Sequence, residues 1–200
     1  MILESIVTTV SAEGEVNIAP MGPVVDGRQL TSGSDQVSFT LRPFNSSRTY
    51  SNLSVSRQAV IHVTDDADLF ARAAVDGIVR SEVPDLVQQI PGTNWWPLKD
   101  CYRWFAVEVV EVSDEKPRVD MQCRVVRSEI VRPFFGFNRA KHAVIEAAIL
   151  ATRTHLIEAT EIRSELDRLQ PLIDKTGGDS ERRAFQFLRV QIDSRLDRTK

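Results

Sequence analysis

A cluster of polar and cationic side chains occupies residues 41–53, where a strand-like run gives way to a helical pattern. The first amides of a helix lack intrahelical partners and lie at the positive end of its dipole, so such a junction favours an anion. Arg42 and Arg48 would add planar cations suited to phosphate oxygens. An ordinary helix cap at Asn45 or Ser46 fits the same residues. The stretch therefore predicts either a phosphate site or a plain helix cap. The hydroxyl side chains in it are Ser46, Ser47, Thr49 and Ser51.

A second unusual segment follows the first predicted hairpin, where Pro20 and Pro23 bracket Met21 and Gly22. Proline cannot donate to a strand ladder, so the strand must end or bulge here and leave backbone groups at an edge. Gly22 would let a ligand approach the backbone closely. A simple kinked connection is the alternative interpretation.

Other catalytic patterns are missing from the sequence. The three histidines fall in separate predicted elements without the spacing of a metal site, and neither cysteine lies beside a histidine. The sequence has no GxSxG elbow, Walker loop or GxGxxG fingerprint. His62 lies within an apolar strand, which favours a structural role. No metal site and no catalytic acid or base is therefore assigned.

Composition and charge argue against several classes of protein. The 200 residues include 25 basic and 28 acidic ones, a formal net charge of −3, whereas a general nucleic-acid binder normally carries a basic surface. The N-terminus does not resemble a signal peptide, and no apolar run approaches the length of a membrane span. We expect a cytoplasmic protein that binds neither nucleic acid nor membrane.

The elements that must position these residues are mostly strands in the first two thirds of the chain. Alternating and β-branched runs predict strands at 2–10, 16–19, 36–41, 59–63, 102–112 and 121–131, with a short hairpin at 24–32. A helix is expected at 65–74. After Pro133 the pattern becomes helical at 139–154 and 157–172, with a break from Pro171 to Asp179 and a last helix joined through Gly177-Gly178. This order predicts a small Greek-key barrel with helices.

Three segments, 17–22, 41–53 and 137–146, resemble the flavin reductase-like, FMN-binding split β-barrel group. Within that group they are similar to an uncharacterised subfamily, a domain of unknown function. The resemblance covers about residues 1–155. It implies a mainly β (α+β) split barrel over residues 1–138 that binds FMN, followed by a helical subdomain at 139–200.

The resemblance also implies a homodimer with one FMN at each end of the subunit interface. The phosphate would lie at the strand–helix junction, and the flavin ring would follow exposed strand backbone. The resemblance implies that the phosphate and ribityl chain would be held by Arg42, Ser46, Ser47, Thr49 and Asn52. The ring would be bordered by Met21 and Gly22. The phosphate or substrate pocket would be reached by Lys141 and His142.

The activity implied by the resemblance is an oxidoreductase that passes electrons from NAD(P)H through FMN to a small acceptor. Flavin carries the redox chemistry itself, so an obvious protein acid or base is not required. Two alternatives stay open: a substrate-specific flavoenzyme in one-carbon or cofactor metabolism, and a flavin-binding or carrier module without turnover.

Overall fold

The computed structural model describes residues 1–26, 37–113 and 119–198. The chain divides into two compact units, each of which is discontinuous in sequence. The first consists of Met1–Thr64 and Arg80–Phe134, and the second of Asp65–Val79 and Phe135–Lys200. The sequence predicted a change of character close to 138, but it did not indicate that the insertion at 65–79 groups with the C-terminal helices.

Within the described ranges, the first unit contains seven antiparallel strands in one sheet, ordered β2-β1-β5-β6-β7-β4-β3. Their bounds are β1 Ser5–Val10, β2 Val16–Met21, β3 Val24–Val25, β4 Ser38–Leu41, β5 Gln58–Val63, β6 Arg103–Ser113 and β7 Asp120–Ile130. The predicted strands are confirmed, and the two longest, β6 and β7, pair with each other in antiparallel register. The predicted hairpin arm at 29–32 lies outside the described residues.

The sheet curls because the short segment from β2 to β3 supplies the strands at both edges of the sheet. β2 pairs with β1 at one edge, and after Gly22 and Pro23 the chain continues into β3, which pairs with β4 at the other. An isolated bridge joins Ile2 to Val24, and the Leu3 amide donates to the Pro23 carbonyl at 3.0 Å. These contacts bring the two edges of the sheet together. The predicted barrel with helices is therefore confirmed.

Alternate strand residues fill the barrel, as the period-2 pattern requires. The rings of Phe39 and Phe105 meet edge to face at 5.1 Å between centroids. Helix α1, Arg48–Ser56, contributes the buried Leu53 to the same core. A short helix α3, Val83–Leu86, follows a 3₁₀ turn at Arg80–Glu82. Further side chains of this core are Val7, Leu41, Ile61, Val107, Val109 and Met121.

Over its described residues, the second unit contains four helices: α2 Ala67–Ala74, α4 Arg139–Ala151, α5 Ala159–Thr176 and α6 Asp179–Arg198. One face of α4 carries small residues that are buried, and they pack with apolar side chains of the other helices. In the described part of the chain, no helix has the length and apolarity needed to cross a membrane. The α4 residues are Ala140, Ala143, Val144, Ala147, Ala148 and Ala151.

The predicted break at Pro171 is wrong, because α5 continues through this residue to Thr176. Proline removes one backbone donor and usually disrupts a helix interior. Here the buried stripe of Leu166 and Ile173 extends across it, so tertiary packing outweighs the local penalty. The helix ends at Gly177, and α6 begins at Asp179, which confirms the predicted glycine junction.

His62 is a fully buried residue of β5 whose two ring nitrogens both have backbone partners. Its Nδ1 lies 2.9 Å from the Ile6 carbonyl, which can only accept, so Nδ1 carries the proton. Its Nε2 accepts from the Leu98 amide at 3.0 Å. Burial lowers the pKa of His62 to about 4, although the hydrogen bond to Ile6 opposes that effect. The predicted structural role is confirmed.

We predict that His62 makes the fold sensitive to acid. Its unfolded pKa is near 6.5 and its folded pKa is about 4, so between these values the unfolded chain binds more protons. Stability should therefore be complete above pH 6.5 and fall by about 3 kcal/mol as the pH drops to 4. Urea unfolding of His62→Gln should lack this component of the pH dependence. His155→Gln, at an exposed histidine, is the control and should retain it; an unchanged slope in His62→Gln would contradict the assignment.

Candidate functional site

The first turn of α1 is capped by Ser47, not by Asn45 or Ser46 as the sequence suggested. Ser47 has extended backbone angles (φ −85°, ψ 151°), and its Oγ accepts from the Tyr50 amide at 3.1 Å. The same hydroxyl donates to the Phe44 carbonyl at 2.7 Å. The predicted cap was misplaced because three consecutive polar residues fit the position equally well. Ser46 is exposed just before the cap, and Arg48 is exposed just after it.

Two other predicted ligands, Thr49 and Asn52, are buried on the barrel side of α1. Asn52 Nδ2 donates to Thr9 Oγ1 of β1 at 3.0 Å. Thr49 Oγ1 accepts from Asn17 Nδ2 of β2 at 3.2 Å. These bonds fix the helix against two neighbouring strands. Direct contact of Thr49 and Asn52 with a phosphate stays a prediction.

Arg42, directly after β4, forms a two-pronged ion pair with Asp120 at the start of β7. Nε lies 2.7 Å from Oδ1 and Nη2 lies 2.9 Å from Oδ2. The hydrogen bonds from Arg42 lower the pKa of the Asp120 carboxyl. The arginine side chain is still 47% exposed, and a guanidinium has five N–H donors, of which this pair uses two. Arg42 is therefore oriented by Asp120, and its side chain stays partly exposed at the surface.

Met21 and Gly22 lie where the chain leaves β2. The Ser5 hydroxyl donates to the Met21 carbonyl at 2.8 Å, and the half-buried Met21 side chain packs against the barrel core. A Cβ at Gly22 would come within 2.6 Å of Ile2 Cγ2, so the corner has no room for a side chain. Among the described strands, β2 pairs with β1 alone, and its other edge has no strand partner.

The two halves of the predicted site meet where Asn17 of β2 binds Thr49 of α1. From there β2 runs four residues to Met21, a rise of about 13 Å. A ligand that contacts both the α1 N-terminus and the Gly22 corner must therefore be extended. The predicted residues of the first unit lie at the N-terminal half of α1, at the end of β4 and at the end of β2. They are Met21, Gly22, Arg42, Ser46, Ser47, Thr49 and Asn52, and their contact with one ligand stays a prediction.

Lys141 and His142 belong to the second unit, in the first turn of α4. Asn138 caps this helix by accepting from the amides of Ala140 and Lys141. Lys141 Nζ pairs with the Asp65 carboxylate of the insertion before α2. The exposed His142 ring lies 6.1 Å from the Phe137 ring, centroid to centroid. Ligand contacts of Lys141 and His142 stay predictions.

Two residues of this arrangement were not assigned from the sequence. Asp120 orients Arg42 across the β4–β7 pairing, in which Leu41 lies opposite Met121. Its identification requires that register, which local patterns do not supply. Asn17 lies in one of the segments that carried the family resemblance, and an amide side chain at the start of an edge strand was the available signal.

Solved structures with the same fold include several flavoproteins. An FMN-bound protein from Methanosarcina mazei has a TM-score of 0.78 and 23% identity, covering 95% of this chain and 94% of that one. An FMN-binding protein from Thermus thermophilus with bound 1-cyclohex-2-enone has a TM-score of 0.51 and 17% identity, over 66% and 72%. The flavin reductase HpaC in complex with NADP⁺ has a TM-score of 0.54 and 15% identity, over 68% and 83%.

These similarities show a flavin reductase-like split-barrel fold with a C-terminal helical part. No curated protein is significantly similar to the chain. Two family models match it: the N-terminal domain of the "protein of unknown function (DUF447)" family covers residues 3–132, and the second model of that family covers residues 138–190. The chain is therefore a member of the DUF447 family.

Proposed function

We propose that this protein binds FMN and acts as an FMN-dependent oxidoreductase, which takes electrons from NAD(P)H and passes them to a small acceptor. The observation that carries the proposal is the junction of β2 with α1 through Asn17 and Thr49. This junction joins the N-terminus of α1 to the edge strand β2. An FMN-bound protein shares the fold over 95% of this chain.

The residues at the α1 N-terminus fit a phosphate group by their chemistry. A phosphate monoester carries nearly two negative charges at neutral pH, and helix amides, hydroxyls and guanidinium groups are its usual partners. The start of α1 carries Ser46, the Ser47 cap and Arg48. Arg42 directly follows the last residue of β4. In this proposal Thr49 and Asn52 act mainly by holding the helix in place.

The ring would lie along the outer edge of β2 towards Gly22. Backbone amides and carbonyls of an edge strand can bond the polar rim of a flavin, and the outer edge of β2 has no strand partner among the described strands. FMN, when bound, supplies the electron transfer. The chain itself binds the phosphate, orients the ring and keeps the α1 anchor rigid through buried hydrogen bonds.

Two further parts of the proposal concern partners. The presence of NADP⁺ in the complex of HpaC supports a nicotinamide donor here. A homodimer is supported by apolar side chains that β6 leaves in solvent at Val110 and Val112, which are 56% and 44% exposed. A second copy of the chain that covers this face would remove them from water.

Binding and turnover can be separated in one preparation. Titration of the protein into FMN should quench flavin fluorescence saturably, with one FMN per chain. Anaerobic NADH or NADPH should then bleach the visible absorption of the bound flavin, because hydride transfer reduces it. If FMN does not bind saturably, the whole proposal is refuted. Binding without bleaching by either nucleotide would refute the reductase and leave a flavin carrier.

We predict that Arg42→Ala weakens FMN binding by about 1.5–3 kcal/mol, the range for a hydrogen bond to a charged group. This corresponds to roughly a 10- to 150-fold higher Kd. The matched control is Asp120→Asn, which removes the negative charge but keeps an Oδ1 acceptor that can still orient Arg42 Nε. If Arg42 binds phosphate, the control should therefore retain or improve the affinity. Equal losses in both variants would show that the pair serves the fold and not the ligand.

A further inference from the structure

A groove of about 350 Å³ lies on the strand pair β4 and β7 of the first unit. We call it the β4–β7 groove, and its lining includes Ser38, Thr40, Val110, Gln122 and Arg124. Small-molecule sites in proteins have volumes of roughly 300–1,000 Å³, so this groove is large enough for a compact organic molecule.

The strand register places the polar side chains of the groove on one face of the sheet. Ser38 lies opposite Arg124, and Thr40 lies opposite Gln122. Residues opposite each other in a strand pair share a face, and so do alternate residues of one strand. Phe39, between Ser38 and Thr40, is buried in the barrel core. The four polar side chains therefore point outwards, where Gln122 is exposed and Thr40 is half-buried.

A β-bulge in β6 gives the groove an apolar wall. The pairing of β6 with β7 shifts between Val109 and Glu111, so Val110 is the extra residue of the bulge. Its side chain is 56% exposed, and Val110 is part of the groove lining. Val110 also belongs to the face proposed to meet a second copy, so a second copy on that face would border the groove. A ligand would thus contact one hydrocarbon side chain and several hydrogen-bonding ones.

The charges around the groove disfavour an anion. Arg124 Nη2 lies 3.1 Å from Glu108 Oε2 of β6, so its positive charge is already paired. A second carboxylate belongs to Glu111, the residue opposite Gln122 in the β6–β7 ladder. An anionic ligand would therefore meet two carboxylates against one guanidinium, whereas an uncharged ligand would not be repelled.

Thr40 and Gln122 can bind one carbonyl oxygen between them. Directly opposed residues of an antiparallel pair have Cβ atoms about 4.5–5.5 Å apart. Thr40 Oγ1 and Gln122 Nε2 are both donors, and neither side chain has a hydrogen-bond partner among the residues that the structure describes. Both residues line the groove. The groove therefore offers two donors to an uncharged acceptor atom.

The groove adjoins the Gly22 corner, where the flavin ring is proposed to lie. β3 pairs with β4 so that Val24 lies opposite Thr40. Gly22 precedes Val24 by two residues, a separation of no more than about 7 Å along the chain. A ligand bound at Thr40 would therefore lie beside a flavin ring at this corner.

We propose that the β4–β7 groove binds the small acceptor of the proposed function, on which this assignment rests, and that the acceptor is an uncharged ring carbonyl compound of the quinone class. One carbonyl oxygen would accept from Thr40 Oγ1 and Gln122 Nε2, and the ring would lie against Val110. A cavity of about 150 Å³ in another protein admits benzene, so the groove has room for such a ring with its substituents. Reduction of the quinone to the hydroquinone would consume the hydride that NAD(P)H supplies and one proton from water.

The test is calorimetric titration of the FMN-loaded protein without NAD(P)H, so that binding is measured apart from turnover. The probes are acetophenone, which carries a ring and one carbonyl, and benzoate, which has a similar size and a negative charge. We expect saturable binding of acetophenone. Benzoate should bind at least 10-fold more weakly, because Glu108 and Glu111 repel it.

Two variants test the assigned residues. Thr40→Val and Gln122→Ala each remove one donor to the carbonyl and should raise the acetophenone Kd roughly 2- to 12-fold, the range for a neutral hydrogen bond. The FMN Kd should stay within about twofold, because neither residue is assigned to FMN. Gln186→Ala, at an exposed glutamine of α6, is the control and should change neither Kd.

The outcomes separate this site from the FMN site. Failure of FMN to bind is detected when the protein is loaded, and it would refute the proposed function and the acceptor site with it. With FMN bound, three results would overturn the acceptor site alone: no binding of acetophenone, benzoate binding as tight as that of acetophenone, or unchanged acetophenone affinity in both Thr40→Val and Gln122→Ala.

Discussion

The backbone pairing of residues 16–25 with both edges of the sheet is the constraint on which the first unit depends. β2 and β3 are almost continuous in sequence, yet they occupy opposite ends of the strand order. Gly22 permits this because Ile2 lies where its side chain would be. The corner closes the barrel around Phe39 and Phe105, and it also leaves the outer edge of β2 available beside α1. The corner at Gly22 is thus the structural cause both of barrel closure and of the open outer edge of β2.

Polar residues of α1 divide into two groups by burial. Thr49 and Asn52 bond strand residues inside the first unit, where an unpaired polar group would be costly. Ser46 and Arg48 face solvent at the helix start, where they contribute little to stability. Substitutions in the two groups should therefore differ: those of the buried pair should disturb the position of the helix, and those of the exposed pair should leave it in place.

Sequence patterns predicted those features that depend on neighbours along the chain. Strand alternation, the helical pattern after Pro133 and the structural role of His62 all follow from local residue types. The Ser47 cap and the helical Pro171 did not, because adjacent polar residues are interchangeable as caps and because packing at Ile173 outweighs a local breaker. The Arg42–Asp120 pair depends on strand register, which joins residues far apart in the sequence.

The insertion that carries α2 has a consequence for how the chain is made. Its buried residues Ala67, Ala71 and Val75 pack in a core whose other buried residues all come after 138. At translation rates of roughly 5–20 residues per second, the 65 or so residues from Ala74 to Arg139 take about 3–13 s to synthesise. During that interval α2 has none of its helical partners. The barrel strands emerge in the meantime. A segment of 8 residues is too short to hold a helix by itself, so α2 should become stable only after the C-terminal third of the chain has been made.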